Sequence, residues 1–235
     1  PWVNELYSSG VHHGSASFEQ GNRNLIIEKS YRAELEWEYN HSNKFACYLS
    51  PYFNYLPGFI NLTPMAAPVM TVRGAFPGFE YLQGNAFFTG ADAQIKLTLV
   101  KNLDIQTGIQ YVYARYTRAK RYPAFLPPFR SQNLLSWKHK QLIFQLQHEF
   151  VAIQQLYTTG TDFLPPPAAY HLWHIKIKSQ RERQDGWQWN MEVNNLLNQS
   201  YRSYMDRFRY FMDMPGRNIR LVIIKPLHHH HKKHL

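Results

Sequence analysis

From Leu103 to Thr117 the chain reads LDIQTGIQYVYARYT, with Leu103, Ile105, Ile109, Tyr111 and Tyr113 on odd positions and Asp104, Gln106, Gly108 and Gln110 on even ones. A period of two puts neighbouring side chains on opposite sides of an extended backbone, so this stretch predicts a strand with one apolar and one polar face. Its fifteen residues exceed the roughly five or six of an ordinary strand. At about 3.3 Å per residue they can cross a bilayer at a tilt and run beyond it.

The device recurs along the chain. Tyr31, Ala33, Leu35, Trp37 and Tyr39 oppose Arg32, Glu34, Glu36 and Glu38, and Phe45, Cys47, Leu49 and Phe53 continue an apolar face after a short turn at Asn40 to Asn43. Ala91, Ala93, Ile95, Leu97 and Leu99 alternate with Asp92, Gln94, Lys96 and Thr98, and Lys101 and Asn102 turn tightly into the stretch above. A weaker pattern covers Ser131 to His139. After Gln141, Leu142, Phe144, Leu146 and Phe150 oppose Gln145, Gln147 and Glu149, with His148 the exception on the apolar side. Trp173, Ile175 and Ile177 alternate with His174, Lys176 and Lys178. The turn RERQDG leads to Trp187, Trp189, Met191 and Val193 against Gln188, Asn190 and Glu192, and Ile219, Leu221 and Ile223 close the series.

Polar, Gly- or Pro-bearing segments separate these runs, and they predict long loops at 1–29, 56–88, 118–130, 157–168 and 197–216. The sum is about nine strands joined alternately by short and long connections. That is the anatomy of an all-β, antiparallel up-and-down transmembrane β-barrel. Aromatics near strand ends (Trp37, Tyr39, Tyr111, Tyr113, Trp187, Trp189) suit interfacial girdles. The competing reading is a soluble all-β protein whose rings fill a core; there Leu97, Ile109 and Leu146 would press against a second layer. In lipid every backbone N–H and C=O must be paired, and an odd set of strands leaves two open edges. Residues 1–227 are therefore expected to be the C-terminal portion of a larger barrel, followed by a His/Lys-rich tail, HHHHKKHL, at 228–235.

Composition agrees. Charged residues make up 18% and aromatics 16%, and no apolar run reaches the roughly 18 residues of a membrane helix. The formal net charge of +10 comes from Lys and Arg scattered through the chain, the tail after Leu227 being the one basic cluster, which argues against a nucleic-acid partner. A lone Cys47 excludes an intrachain disulfide and a cysteine metal cluster. The chain opens at Pro1 without a secretory signal, so an exported protein is expected to have more chain upstream. G-x-S-x-G, H-E-x-x-H and phosphate-loop patterns are all missing, which speaks against an enzyme.

Candidate chemistry lies in the loops. His12 and His13, with Glu5 and Glu19 nearby, have donors suited to zinc, copper or iron, although adjacent side chains on extended backbone point apart. Arg207, Arg209 and Tyr210, with Asp213, could pair with an anionic chelate or tie loops together. Phe59, Phe76, Phe79 and Tyr81 could stack on a flat ligand or form a small core under a loop. The row Arg32, Glu34, Glu36 and Glu38 would face a wet interior and pair there.

Four stretches carry a resemblance: WVNELYSSGVHHGSASFEQGNRNLIIEKSY at 2–31, LPPFR at 126–130, NNLLNQSYR at 194–202 and RFRYFMDMPGRN at 207–218. In this order they resemble TonB-dependent outer-membrane receptors. The resemblance implies a 22-stranded barrel plugged by an N-terminal domain upstream of Pro1, in the bacterial outer membrane. It implies energy-dependent uptake of a scarce ligand, above all an iron complex such as a ferric siderophore or haem, driven by the TonB complex without a cofactor of its own. A zinc or copper receptor of the same family and a passive porin are the alternatives. One departure stands out: such barrels generally end on an aromatic residue, whereas here the last strand reaches Leu227 and continues into the tail.

Overall fold

The computed structural model describes residues 1–179 and 187–225; the predicted turn at 181–186 and the tail at 228–235 lie outside them. A one-turn helix, α1 (Val3–Tyr7), leads into a hairpin of β1 (Ser9–His12) and β2 (Ser17–Gln20). Next come β3 (Tyr31–Glu34), β4 (Trp37–His41), β5 (Phe45–Pro64), a small hairpin of β6 (Val69–Thr71) and β7 (Gly74–Phe76), and β8 (Gly78–Val100). The chain continues through β9 (Leu103–Tyr116), β10 (Arg130–His139), β11 (Leu142–Val151), β12 (Tyr170–Ser179), β13 (Gln188–Asn194) and β14 (Asn218–Ile224).

Strands β5, β8, β9, β10, β11, β12, β13 and β14 lie side by side in that order, all antiparallel, with β3 and β4 end to end along the outer edge of β5. Counting β3 and β4 as one stave gives nine staves among the described residues, as the alternation predicts. There β14 bonds only to β13, and β3 and β4 only to β5, so the sheet is not closed.

The register shows what the alternation is for. One row of directly opposed residues runs Phe45, Leu97, Ile105, Leu135, Leu146, Ile175, Val193, Ile219, apolar at every position across eight strands. Among the described residues nothing covers it: Leu97 is 37% exposed, Ile109 on the same face 41% and Ile219 65%. The other face carries Asp92, Gln110, Arg130, Glu149, Lys176 and Glu192, with Arg130 paired to Glu149 at 3.0 Å and Lys176 to Glu192. An apolar outside and a wet, ion-paired inside are what a lipid-embedded barrel wall requires. The second layer that a soluble sandwich would need is absent among the described residues. The fully buried apolar side chains sit instead near the long-loop end, where Phe79, Leu126 and Tyr204 are 0%, 2% and 6% exposed.

Three expectations need correction. Residues 56–88 are not a long loop: β5 runs to Pro64 and β8 starts at Gly78, so the pair forms a ribbon standing far beyond the long-loop edge of the sheet. The ribbon stands beyond the stretch where one face meets lipid and the other the lumen, and β2 adds to its edge in parallel, Phe18 opposite Gly78. Pro57 and Gly58 mark a bulge rather than an end. Register slips between Leu56 and Phe59, and Gly58 takes φ +70°, open to glycine at little cost. Residues 1–29 likewise hold α1, β1 and β2 rather than a plain loop.

The single strand expected from Tyr31 to Tyr39 is broken at Leu35 and Glu36. Glu34 opposes Tyr52 and Trp37 opposes Leu49, so the register runs straight through the gap. The residue facing the gap is Pro51: its carbonyl accepts from the Leu35 N–H at 3.1 Å, but it has no N–H to return.

Candidate functional site

The long-loop end gathers distant parts of the sequence into one knot. Asp206 accepts from the Phe208 N–H at 2.9 Å and so caps a short 3-10 turn, Arg207–Tyr210. That turn aims three side chains differently. Arg209 lies buried with 1% of its side chain exposed and pairs with Asp162 from the loop between β11 and β12. Tyr210 donates to the other oxygen of Asp162 at 2.6 Å. The Arg209 guanidinium also lies over the Tyr204 and Tyr210 rings, at 5.0 and 4.6 Å.

Arg207 turns the other way. It donates to Glu19 of β2 at 2.7 Å and lies 5.4 Å over the ring of Phe79. Tyr81 donates to the second oxygen of Glu19 at 3.4 Å. Phe79 is enclosed by Phe125 and Phe163, each 5.9 Å away, and by Tyr210 at 6.4 Å. Burial pushes the Tyr204 hydroxyl up to about 12, with the Asp162 charge adding to it. Burial, and the hydrogen bond given to the Asp162 carboxylate, push Tyr210 higher still.

Of the residues singled out from sequence, Phe79, Tyr81, Arg207, Arg209 and Tyr210 therefore meet in one cluster. His12 and His13 do not join it. Both are exposed; His12 Nδ1 lies 3.2 Å from Ser15 Oγ, and His13 Nε2 lies 3.3 Å from Arg73 at the ribbon tip. Among the described residues no three His, Cys, Asp or Glu side chains stand close enough to hold a metal ion. In the expected interior row, Arg32 pairs with Glu34 at 2.9 Å, and Asn40 donates to Glu38 at 2.7 Å.

Beside the knot a cavity of about 450 Å³ opens, lined among others by Tyr116, Arg118, Arg121 and Tyr122 with Gln83 and Asn85. Hydrogen bonds of the backbone N–H groups hold its basic wall in place: Tyr116 N–H donates to the Arg121 carbonyl at 3.1 Å, and Tyr122 N–H to the Thr158 side chain at Oγ1, 3.1 Å away. None of the ion pairs among the described residues takes Arg118 or Arg121. Two guanidinium groups outside those ion pairs and two tyrosines suit an anionic, ring-bearing guest, while the Gln83 amide is spent on the Ile26 and Gly58 backbone. Sequence reading passed over these residues as part of a Pro-containing loop. The signal was present: three cations in the four residues RAKR, followed directly by Tyr122.

No family model and no curated protein sequence matches the chain. Solved structures do. The copper transporter OprC aligns with 95% of this chain and 34% of its own, at a TM-score of 0.76 and 16% identity. The FrpB iron transporter from Neisseria meningitidis (F3-3 variant) aligns over 85% of this chain and 30% of its own, at 0.64 and 15%. The ferric enterobactin receptor PfeA from Pseudomonas aeruginosa, as the mutant R480A in complex with enterobactin, aligns over 88% and 32%, at 0.63 and 16%. The fold is that of TonB-dependent outer-membrane receptors. The chain spans about a third of the length of these structures. In this receptor fold the short turns mark one rim of the wall, and the knot with its cavity stands at the other, above the apolar belt.

Proposed function

We propose that the chain forms a C-terminal portion of the barrel of a bacterial outer-membrane receptor for energy-dependent uptake of an anionic iron complex. A plug and a TonB-contacting segment would be supplied upstream of Pro1. The observation that carries this reading is the 450 Å³ cavity with unpaired Arg118 and Arg121 beside Tyr116 and Tyr122 at the loop end. A negatively charged chelate with flat rings would gain charge-assisted hydrogen bonds from the guanidinium groups and stack on the phenols. The knot of Phe79, Tyr81, Arg207, Arg209 and Tyr210 would form the wall that holds this mouth in shape. His12 and His13 would stand at its rim as an outer point of capture.

The test is binding of an iron(III) tris-catecholate to the whole receptor in detergent, by quenching of tryptophan fluorescence. Hydrogen bonds to charged groups contribute about 1.5–3 kcal/mol each, so replacing both Arg118 and Arg121 by Ala is expected to weaken binding about a hundredfold or more. Unchanged affinity would refute the assignment. In liposomes a plugged receptor should show no steady ion conductance; a stable open-channel current would identify a passive porin instead.

A further inference from the structure

The outer face carries one polar feature that the import reading does not use. Two residues toward the loops from the all-apolar row, Thr107, Asn133, His148 and Trp173 oppose one another across β9, β10, β11 and β12. Thr107 Oγ1 donates to Asn133 Oδ1 at 3.0 Å, which leaves the Asn133 amide to donate to His148 Nδ1, 3.2 Å away. With that nitrogen accepting, the proton of a neutral His148 sits on Nε2, 3.0 Å from His171 Nδ1. The proton of His171 is thereby placed on its own Nε2. Each group in the chain orients the next, and the series ends on an N–H donor of an exposed side chain. Rings hold the end in place: Phe150 stacks on His171 at 4.7 Å, His171 on His148 at 5.3 Å, and Trp173 lies 4.6 Å from His148.

Depth decides what can receive that donor. Strands β11 and β12 are ten residues each, which at the usual tilt spans about the 25 Å of the apolar band. His171 is the second residue from the loop end of β12, and His148 the fourth from that of β11. Both therefore lie at the outer interface, where aromatic side chains meet lipid headgroups. Hydrocarbon offers no acceptor, and a polar group left facing it is costly. Headgroup oxygens are the acceptors at that level, and a formal net charge of +10 on the chain favours anionic ones. We propose that His171, oriented by His148, Asn133 and Thr107, binds the phosphate of an outer-leaflet lipid on the outside of the barrel. This site rests on the reading that the apolar face meets lipid.

The experiment is native mass spectrometry of the receptor in a neutral detergent, titrated with dioleoyl phosphatidic acid or with dioleoylglycerol, which shares the chains but lacks phosphate. The wild type should retain the phosphatidic acid about tenfold more tightly. His171→Phe keeps the ring on Phe150 and removes the donor; it should erase the preference. His171→Gln keeps an N–H and should retain most of it. Equal retention of the two lipids by the wild type, or an undiminished preference in a folded His171→Phe, overturns the site. So does loss of the preference when millimolar inorganic phosphate is added, since that marks a plain anion site rather than a lipid one. A protein that stays in solution without detergent would instead overturn the membrane reading on which the site depends.

Discussion

Asp162 holds two partners at once, the buried Arg209 and the Tyr210 hydroxyl. Removing one member of a buried ion pair costs about 3–5 kcal/mol, because the charge left behind has neither water nor partner. Asp162→Ala should therefore loosen the loop knot by that order, seen as faster proteolysis of the 152–169 and 195–217 segments while the strands stay resistant. The same cluster gives a pH dependence. Tyr204 is neutral when protonated, and its folded pKa of about 12 lies above the ordinary 10. The folded state thus holds this proton more tightly than the unfolded chain does. Its contribution is intact below pH 10 and is lost as pH climbs through 12. A tyrosinate absorbance titration should show loop opening in that window and none between pH 7 and 9. At this scale sequence singled out Arg207, Arg209 and Tyr210 but not Asp162 or Glu19 as their partners, because those carboxylates lie 47 and 188 residues away along the chain.

Among the elements, β3 and β4 show how one residue on a neighbouring strand can interrupt a perfect local pattern. Pro51→Ala would restore the missing donor opposite Leu35. The gain of about 0.5–1.5 kcal/mol for a hydrogen bond is nearly offset by about 0.4–1 kcal/mol for the looser unfolded chain. Global stability should therefore barely move, while hydrogen exchange at residues 35–37 slows and the two strands merge. The opposite lesson comes from β5 and β8. Their outer halves have no visible period, Pro57 and Gly58 read as a stop, and yet the ladder continues to Pro64 opposite Phe79. Pairing across the ribbon supplies the hydrogen bonds whether or not each face has a uniform environment, so periodicity detects only the part that borders lipid.

For the whole molecule the decisive property is sidedness. Leu146 is the fifth of ten residues in β11, close to mid-span, and Gln147 beside it points to the wet face. Arginine on the lipid face at mid-depth costs about 2–4 kcal/mol, whereas the lumen tolerates it. In the whole receptor, Leu146→Arg should thus reduce the yield of heat-modifiable protein inserted into liposomes severalfold, and Gln147→Arg should leave it nearly unchanged; equal effects would contradict the assignment of faces. The edges at β14 and at β3 and β4 are open among the described residues. Expressed alone, the chain is expected not to yield a monodisperse, heat-modifiable barrel in detergent, since lipid cannot satisfy an open edge.

Alternation by itself determined the nine staves, their polar and apolar sides and the division into short and long connections, because a strand's side chains report directly on the medium each face meets. It also marked His148 as the polar exception on the apolar side of its own strand, β11. Only the tertiary structure decided how far β5 and β8 reach, why Pro51 splits its neighbour, that Asp162 and Glu19 fasten the mouth, and that Arg118 and Arg121 face an open cavity. Those features depend on which distant segments lie side by side, and hydrogen-bond partners or cavities made by chain folding leave no periodic trace in the order of residues.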